Sequence, residues 1–151
     1  WRQTMKYPVK IVCSIVLAAN AVFAQAALPE GEKPVLDQEF YSALSQKEAI
    51  RRDIFLDDNL NKIITGKGQI LSIDANGRYR RRFRIVVNAK VSIAVAITYY
   101  VYTDNEEYIR VINQGDTLEF KGQFIIYTPL TTRRNSYIFD VVLEEGAVVV
   151  E

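Results

Sequence analysis

The chain has 151 residues, with 19 Lys+Arg against 18 Asp+Glu, one Cys and no His. That length suits one compact domain, and a hydrophobic fraction of 49% with 25% charged residues belongs to a foldable globular chain. Lacking His and holding a lone Cys, the chain has neither the commonest general base and metal ligand nor the means for an internal disulfide or a Cys-rich zinc site.

The first segment reads as an export signal. Met5 is followed by Lys6 and Lys10, then by an apolar stretch from Ile11 to Phe23 interrupted at Asn20, and Ala24-Gln25-Ala26 has the small-residue pattern of a cleavage site. The run is too short and interrupted for a membrane-spanning helix. Residues 1–4 read as an upstream extension and residues 5–26 as the signal, so the expected destination is the periplasm or the exterior, with no integral membrane segment after cleavage. Cleavage removes Arg2, Lys6, Lys10 and Cys13, leaving 16 basic residues against 18 acidic ones. Cys13 sits inside the apolar run without the small-residue approach of a lipid-attachment site.

Residues 27–37, with Pro29, Gly31 and Pro34, read as a linker, and residues 38–62 as an N-terminal helical segment. Ser45 and Glu48 have capping-box spacing, with Leu44 and Ala49 at the staple positions. The expected helix runs to about Leu56, burying Ile50 and Ile54 and turning Arg51, Arg52 and Asp53 outward. Asp57-x-Asn59-x-Asn61 faintly resembles a calcium loop, but Lys62 and Gly68 stand where Gly and Glu are required, so no metal site is expected.

From Ile63 the period becomes two. A first strand is expected over 63–73, an Asn76-Gly77 turn after it, and a second strand over about 79–88. That second strand places Tyr79, Phe83, Ile85 and Val87 inward and Arg80, Arg82 and Arg84 outward. Arg81 falls on the inward row, so it should either pair with an acid near the barrel mouth or be turned out by a bulge. A third strand over 92–102 aligns Ile93, Val95, Ile97, Tyr99 and Val101 inward, with Tyr100 and Tyr102 outward. A short helix over 108–112 follows Asp104, Glu106 and Glu107. Gly115-Asp116 launches strand four, where Leu118, Phe120, Phe124 and Ile126 share a face and Gly122 marks a bulge or bend. After a loop over 129–135, strand five carries Tyr137, Phe139, Val141 and Leu143 in one row, and the run after Gly146 closes an edge.

Strand-strand-strand-helix-strand-strand is the order of the OB-fold, a five-stranded Greek-key barrel. The fold class is thus all-β with minor α: an OB barrel over 63–151, a short helix between strands three and four, and an N-terminal helix. A small SH3-like or other Greek-key barrel is the structural alternative. On Gly66-x-Gly68-x-Ile70, the helix before Gly115-Asp116 and Gly122 within strand four, residues 38–151 resemble the exported bacterial OB-fold proteins grouped as tRNA-anticodon-domain-like.

In an OB barrel the outer face of strands two and three, with the one–two and four–five loops, is the usual binding surface. Arg80, Arg82 and Arg84 fall there beside Tyr100 and Tyr102, flanked by Arg78 in the first loop and Arg133 and Arg134 in the last. Arginines clamp oxyanions and aromatic rings stack bases, so the ligand could be an anionic polymer, either nucleic acid or glycan, or a lipid headgroup. A solvated basic stripe on an envelope protein-interaction module is the competing reading, since the mature chain lacks a basic excess. No cofactor is expected. The carboxylate pairs 57–58, 106–107 and 144–145 are adjacent in sequence, and no nucleophile motif is present, so an enzyme is not expected.

Overall fold

The computed structural model describes residues 35–75, 77–130 and 134–150, with side chains as far as Leu143. The signal and most of the linker, Asn76 of the expected turn, and Arg133 lie outside these residues. In chain order the elements are β1 (Val35–Leu36), α1 (Gln38–Gln46), α2 (Ala49–Asp57), β2 (Ile63–Ala75), a short turn (Arg78–Arg80), β3 (Phe83–Lys90), β4 (Ala96–Thr103), α3 (Glu106–Val111), β5 (Thr117–Pro129) and β6 (Ser136–Val150).

The strands form one sheet in the order β1-β2-β3-β4-β6-β5, and β2 also pairs with β5, which closes the barrel. The β4–β6 pair is parallel and the β2–β3, β3–β4, β5–β6 and β2–β5 pairs are antiparallel. This is the OB barrel, with the two-residue β1 added in parallel along β2. Within the barrel, strand β2 serves two partners, pairing with β5 over 63–69 and with β3 from Gln69 onward. It must coil sharply to do so, and Gly66 and Gly68 permit it. A Cβ on Gly66 would lie 2.4 Å from the Phe120 ring, and one on Gly68 would lie 2.3 Å from the Asn88 carbonyl oxygen. Gly122 sits at the register shift between Phe120 and Gly122, where β5 bends.

Alternation fills the barrel with Ile70, Ile85, Val87, Ile97, Tyr99, Val101, Leu118, Phe120, Phe124, Phe139 and Val141, all buried. A second shift between Phe124 and Ile126 turns Ile126 outward, against the expectation that it shares the inner face. Ile93 is likewise exposed, because β4 starts only at Ala96 and residues 92–94 form the turn. Helix α1 is capped by Asp37, whose carboxylate accepts from the Glu39 N–H at 3.0 Å, and it buries Phe40, Tyr41 and Leu44. Its Tyr41 hydroxyl donates to the Thr65 carbonyl at 2.6 Å and accepts from the Tyr99 hydroxyl at 2.7 Å. Both of these buried phenol protons therefore have an acceptor.

The helical segment differs from expectation in two ways. It is two helices broken at extended Lys47 and Glu48, so the capping box does not form: Ser45 lies inside α1, donating to the Tyr41 carbonyl, and Glu48 makes no side-chain cap. The face of α2 is also inverted. Ile50 and Ile54 are 72% and 57% exposed, whereas Arg52 is 6% exposed. The inward stripe is Arg52, Phe55, Leu56 and Asn59, at helical spacing of three and four. Burial of Arg52 is offset by its acceptors: Nε donates to the Leu44 carbonyl at 3.2 Å, and Nη1 donates to Asn135 Oδ1 at 2.6 Å and to the Arg134 carbonyl at 3.2 Å. One guanidinium thus ties the end of α1 to the β5–β6 loop.

Candidate functional site

Strand β3 starts at Phe83, four residues later than expected. Residues 78–81 form a turn instead, closed by the Arg81 N–H donating to the Arg78 carbonyl at 3.0 Å. Both central residues are left-handed, Tyr79 with φ 54° and Arg80 with φ 58°, while neighbouring Gly77 has φ −106°. Two consecutive left-handed residues with side chains are unfavourable by roughly 1–2 kcal/mol each. Specific contacts hold them in place.

Those contacts converge on Asp140 of β6, an outward-row residue that is nonetheless buried. Its Oδ2 accepts from the Tyr79 hydroxyl at 2.7 Å and the Tyr102 hydroxyl at 3.5 Å, and it lies 3.1 Å from Arg78 Nη1. The Tyr79 ring stands edge-on to Tyr102 with centroids 4.9 Å apart. Tyr102 does occupy the outer row, but this lid leaves it 1% exposed, which corrects the expectation of an open stacking ring. Burial, then the hydrogen bond to Asp140, pushes the Tyr79 phenol up to about 12.

The remaining arginines of the stripe have different settings. Arg82 donates from Nη1 to Glu106 at 2.6 Å and from Nη2 to the Asp104 carbonyl at 2.9 Å, and its backbone N–H donates to the Asp104 carboxylate at 2.8 Å. Arg81 pairs with Asp104 at 2.8 Å, an acid partner as expected, but it does so from the turn and not from an inward strand row. Arg84 pairs with Asp74 at 3.0 Å and lies over the Tyr100 ring, 5.1 Å from its centroid. These bonds hold both carboxyls below their ordinary range, Asp74 through Arg84 and then Ser72, Asp104 through Arg81 and then the Arg82 N–H. Arg80 is exposed at the tip of the turn and makes no ion pair among the described residues.

Arg78, Arg80, Arg82, Arg84, Tyr100 and Tyr102 are therefore brought to one end of the outer face. Arg134 is not. It is ion-paired with Asp53 of α2, and its loop adjoins the first residue of β4, where the Ala96 N–H donates to the Asn135 carbonyl at 3.0 Å. The arginine turn adjoins the other end, with Phe83 opposite Thr103. Seven residues of strand separate the two ends, about 23 Å at 3.3 Å per residue.

Asp140 is the residue that sequence reasoning missed. Its signal was present: it is the one charge in the otherwise apolar run 137–143. The Asp57 to Asn61 motif is used internally, with Asn59 donating to the Phe55 carbonyl at 2.7 Å and Asp57 accepting from Tyr127 at 3.0 Å. No helix among the described residues is long and apolar enough to cross a membrane.

No protein-family model matches the chain, and no curated protein does. Among solved structures it is similar to asparaginyl-tRNA synthetase of Entamoeba histolytica in complex with asparaginyl-adenylate, at 14% identity and TM-score 0.38, over 60% of this chain and 20% of that one. It is also similar to a chain assigned as an aspartyl-tRNA synthetase from Leishmania major Friedlin, at 10% identity and TM-score 0.41, over 84% of this chain and 22% of that one. The chain thus spans about a fifth of the length of either protein, and its OB topology rests on its own strand order and pairing.

Proposed function

We propose that the protein is an exported, non-enzymatic OB-fold binding module that takes an anionic polymer at its β2–β3 turn. One observation carries this reading: a turn held left-handed over buried Asp140 presents Arg80 without an ion pair among the described residues, with Arg78 and Arg82 more than half exposed on either side. Backbone strain kept at a ring of cations, beside a glycine that does not take it up, is a feature that a binding role accounts for. The acids paired with Arg78 and Arg82 do not close the site. The Arg82–Glu106 pair is exposed at both ends and contributes about 0–1 kcal/mol, while Arg78, held by buried Asp140, is itself more than half exposed and keeps further donors for an oxyanion.

The test is titration of a fluorescent oligonucleotide and of heparin against the mature protein and the Arg78→Ser/Arg80→Ser/Arg82→Ser variant at several salt concentrations. Affinity should fall at least tenfold in the variant, and the salt dependence should flatten, because each lost phosphate contact removes about 0.7 from the slope. Equal affinities with an unchanged circular dichroism spectrum would remove the assignment. A second reading, a protein-interaction module of the envelope, is favoured by exposed Ile50 and Ile54 on α2. It predicts cross-links from α2 to a partner in cells and none from the arginine turn.

A further inference from the structure

Resting on that reading, we propose that the site recognises its ligand as a chain of closely spaced oxyanions and does not read or stack its bases. The structural basis is what has become of the aromatic rings. A single-strand groove works by laying successive bases on exposed aromatic faces. Among the described residues no Phe or Tyr side chain is exposed. Three half-buried rings lie in or beside the arginine turn, and each has a guanidinium over it. Arg78 lies 5.2 Å from the Tyr79 centroid, Arg82 lies 5.4 Å from that of Phe83, and Arg84 lies 5.1 Å from that of Tyr100. These are cation–π distances. The fourth ring, Tyr102, is sealed beneath Tyr79 by the hydrogen bonds to Asp140.

Each ring thus already has its stacking partner, and that partner is held from a second side. Arg78 is held by Asp140, Arg82 by Glu106 and Arg84 by Asp74. A base could reach a ring only by displacing a guanidinium from both its ring and its acid. An oxyanion needs no such displacement, since it meets the outer N–H edges of the same forks and the exposed fork of Arg80. The arrangement favours charge recognition over base recognition, and phosphate chains from nucleic acid or from inorganic polyphosphate share the required chemistry.

The experiment is competition binding to the full mature chain with three probes of matched charge: an oligothymidylate, the same strand made abasic, and inorganic polyphosphate. Base stacking would strengthen binding by roughly five- to more than a hundredfold per base. The expected result is that the oligothymidylate and the abasic strand agree within about threefold, with equal salt slopes. Replacing Tyr100→Leu should leave their ratio unchanged. An oligothymidylate that binds tenfold or more tightly than its abasic counterpart, or a Tyr100→Leu variant that weakens only the former, overturns the inference while leaving the anion-binding reading intact. Binding of none of the three overturns both. Polyphosphate that competes as well as the abasic strand assigns the site to phosphate spacing alone; an abasic strand that competes better assigns it to a sugar-phosphate backbone.

Discussion

The ring of Tyr79 stands edge-on over Tyr102 at 4.9 Å, and both hydroxyls turn to the same oxygen of Asp140. This contact joins the arginine turn to the sheet, because it fixes a left-handed segment against a strand 61 residues away in sequence. Removing the carboxylate leaves two phenols and Arg78 without their common acceptor. Asp140→Ala should cost about 1–3 kcal/mol by urea denaturation, the usual range for stranding buried donors. It should also speed tryptic cleavage after Arg78, Arg80, Arg81 and Arg82. A variant with an unchanged midpoint and an unchanged digest would show that the turn is held by something else.

Acid should release the same turn from its other side. The Asp74 and Asp104 carboxyls titrate below the ordinary value because of Arg84 and Arg81 respectively. A carboxyl whose folded pKa is depressed contributes stability above its unfolded value, near 3.9, and that stability is lost as pH falls through the folded value. The melting temperature of the wild type should therefore drop more steeply below about pH 4 than that of Asp74→Asn/Asp104→Asn, with the two curves converging at the acid end. Parallel curves would count against both ion pairs.

Two glycines that look alike in sequence should behave oppositely. Gly77 has a negative φ and nothing within 4 Å of the point where a methyl group would stand, so Gly77→Ala should be neutral or raise stability by up to about 1 kcal/mol. At Gly68 a Cβ would sit 2.3 Å from a β3 carbonyl oxygen, so Gly68→Ala must part β2 from β3 where β2 changes partners. It should cost several times more than a surface substitution, in excess of about 2 kcal/mol. Equal melting temperatures for the two variants would show that β2 does not need its tight coil.

The barrel was legible in the sequence because period-two alternation survives wherever the strand is regular, as over Ile97, Tyr99 and Val101 or Phe139 and Val141. It failed at the shifts: Ile126 follows a bulge, Ile93 lies in a turn, and Tyr79 precedes a strand that starts late. The arginine cluster was legible as a cluster, but its ion pairs and the covering of Tyr102 depend on Asp140, Asp104 and Asp74, which reach it from other elements. Helix α2 was inverted for a similar reason. Its true inward stripe contains an arginine and an asparagine, so hydrophobic periodicity favoured Ile50 and Ile54 instead.

That inversion gives a direct test. Arg52→Met keeps the length of the side chain and removes its bonds to Leu44, Arg134 and Asn135, leaving the buried Leu44 carbonyl without this donor. It should lower stability by about 1–3 kcal/mol. Arg52→Lys should recover little, since one ammonium cannot span acceptors on both α1 and the β5–β6 loop. Ile50→Glu/Ile54→Lys should change the denaturation midpoint by no more than about 0.5 kcal/mol equivalent. A large loss in the isoleucine variant with a small one at Arg52 would mean that α2 packs the other way round.

Arg80 should show stability and binding moving in opposite directions. Its φ of 58° suits asparagine far better than arginine, because the asparagine side chain tolerates the left-handed region. Arg80→Asn should therefore raise unfolding stability by about 0.5–1 kcal/mol, since no ion pair of Arg80 is lost among the described residues. The same change removes the unpaired cation at the tip, so affinity for polyphosphate should fall by about three- to tenfold at low salt and by less as salt screens the contact. A variant both more stable and equally tight would show that the strain at residue 80 is not maintained for anion binding, whereas the opposed signs would tie it to that role.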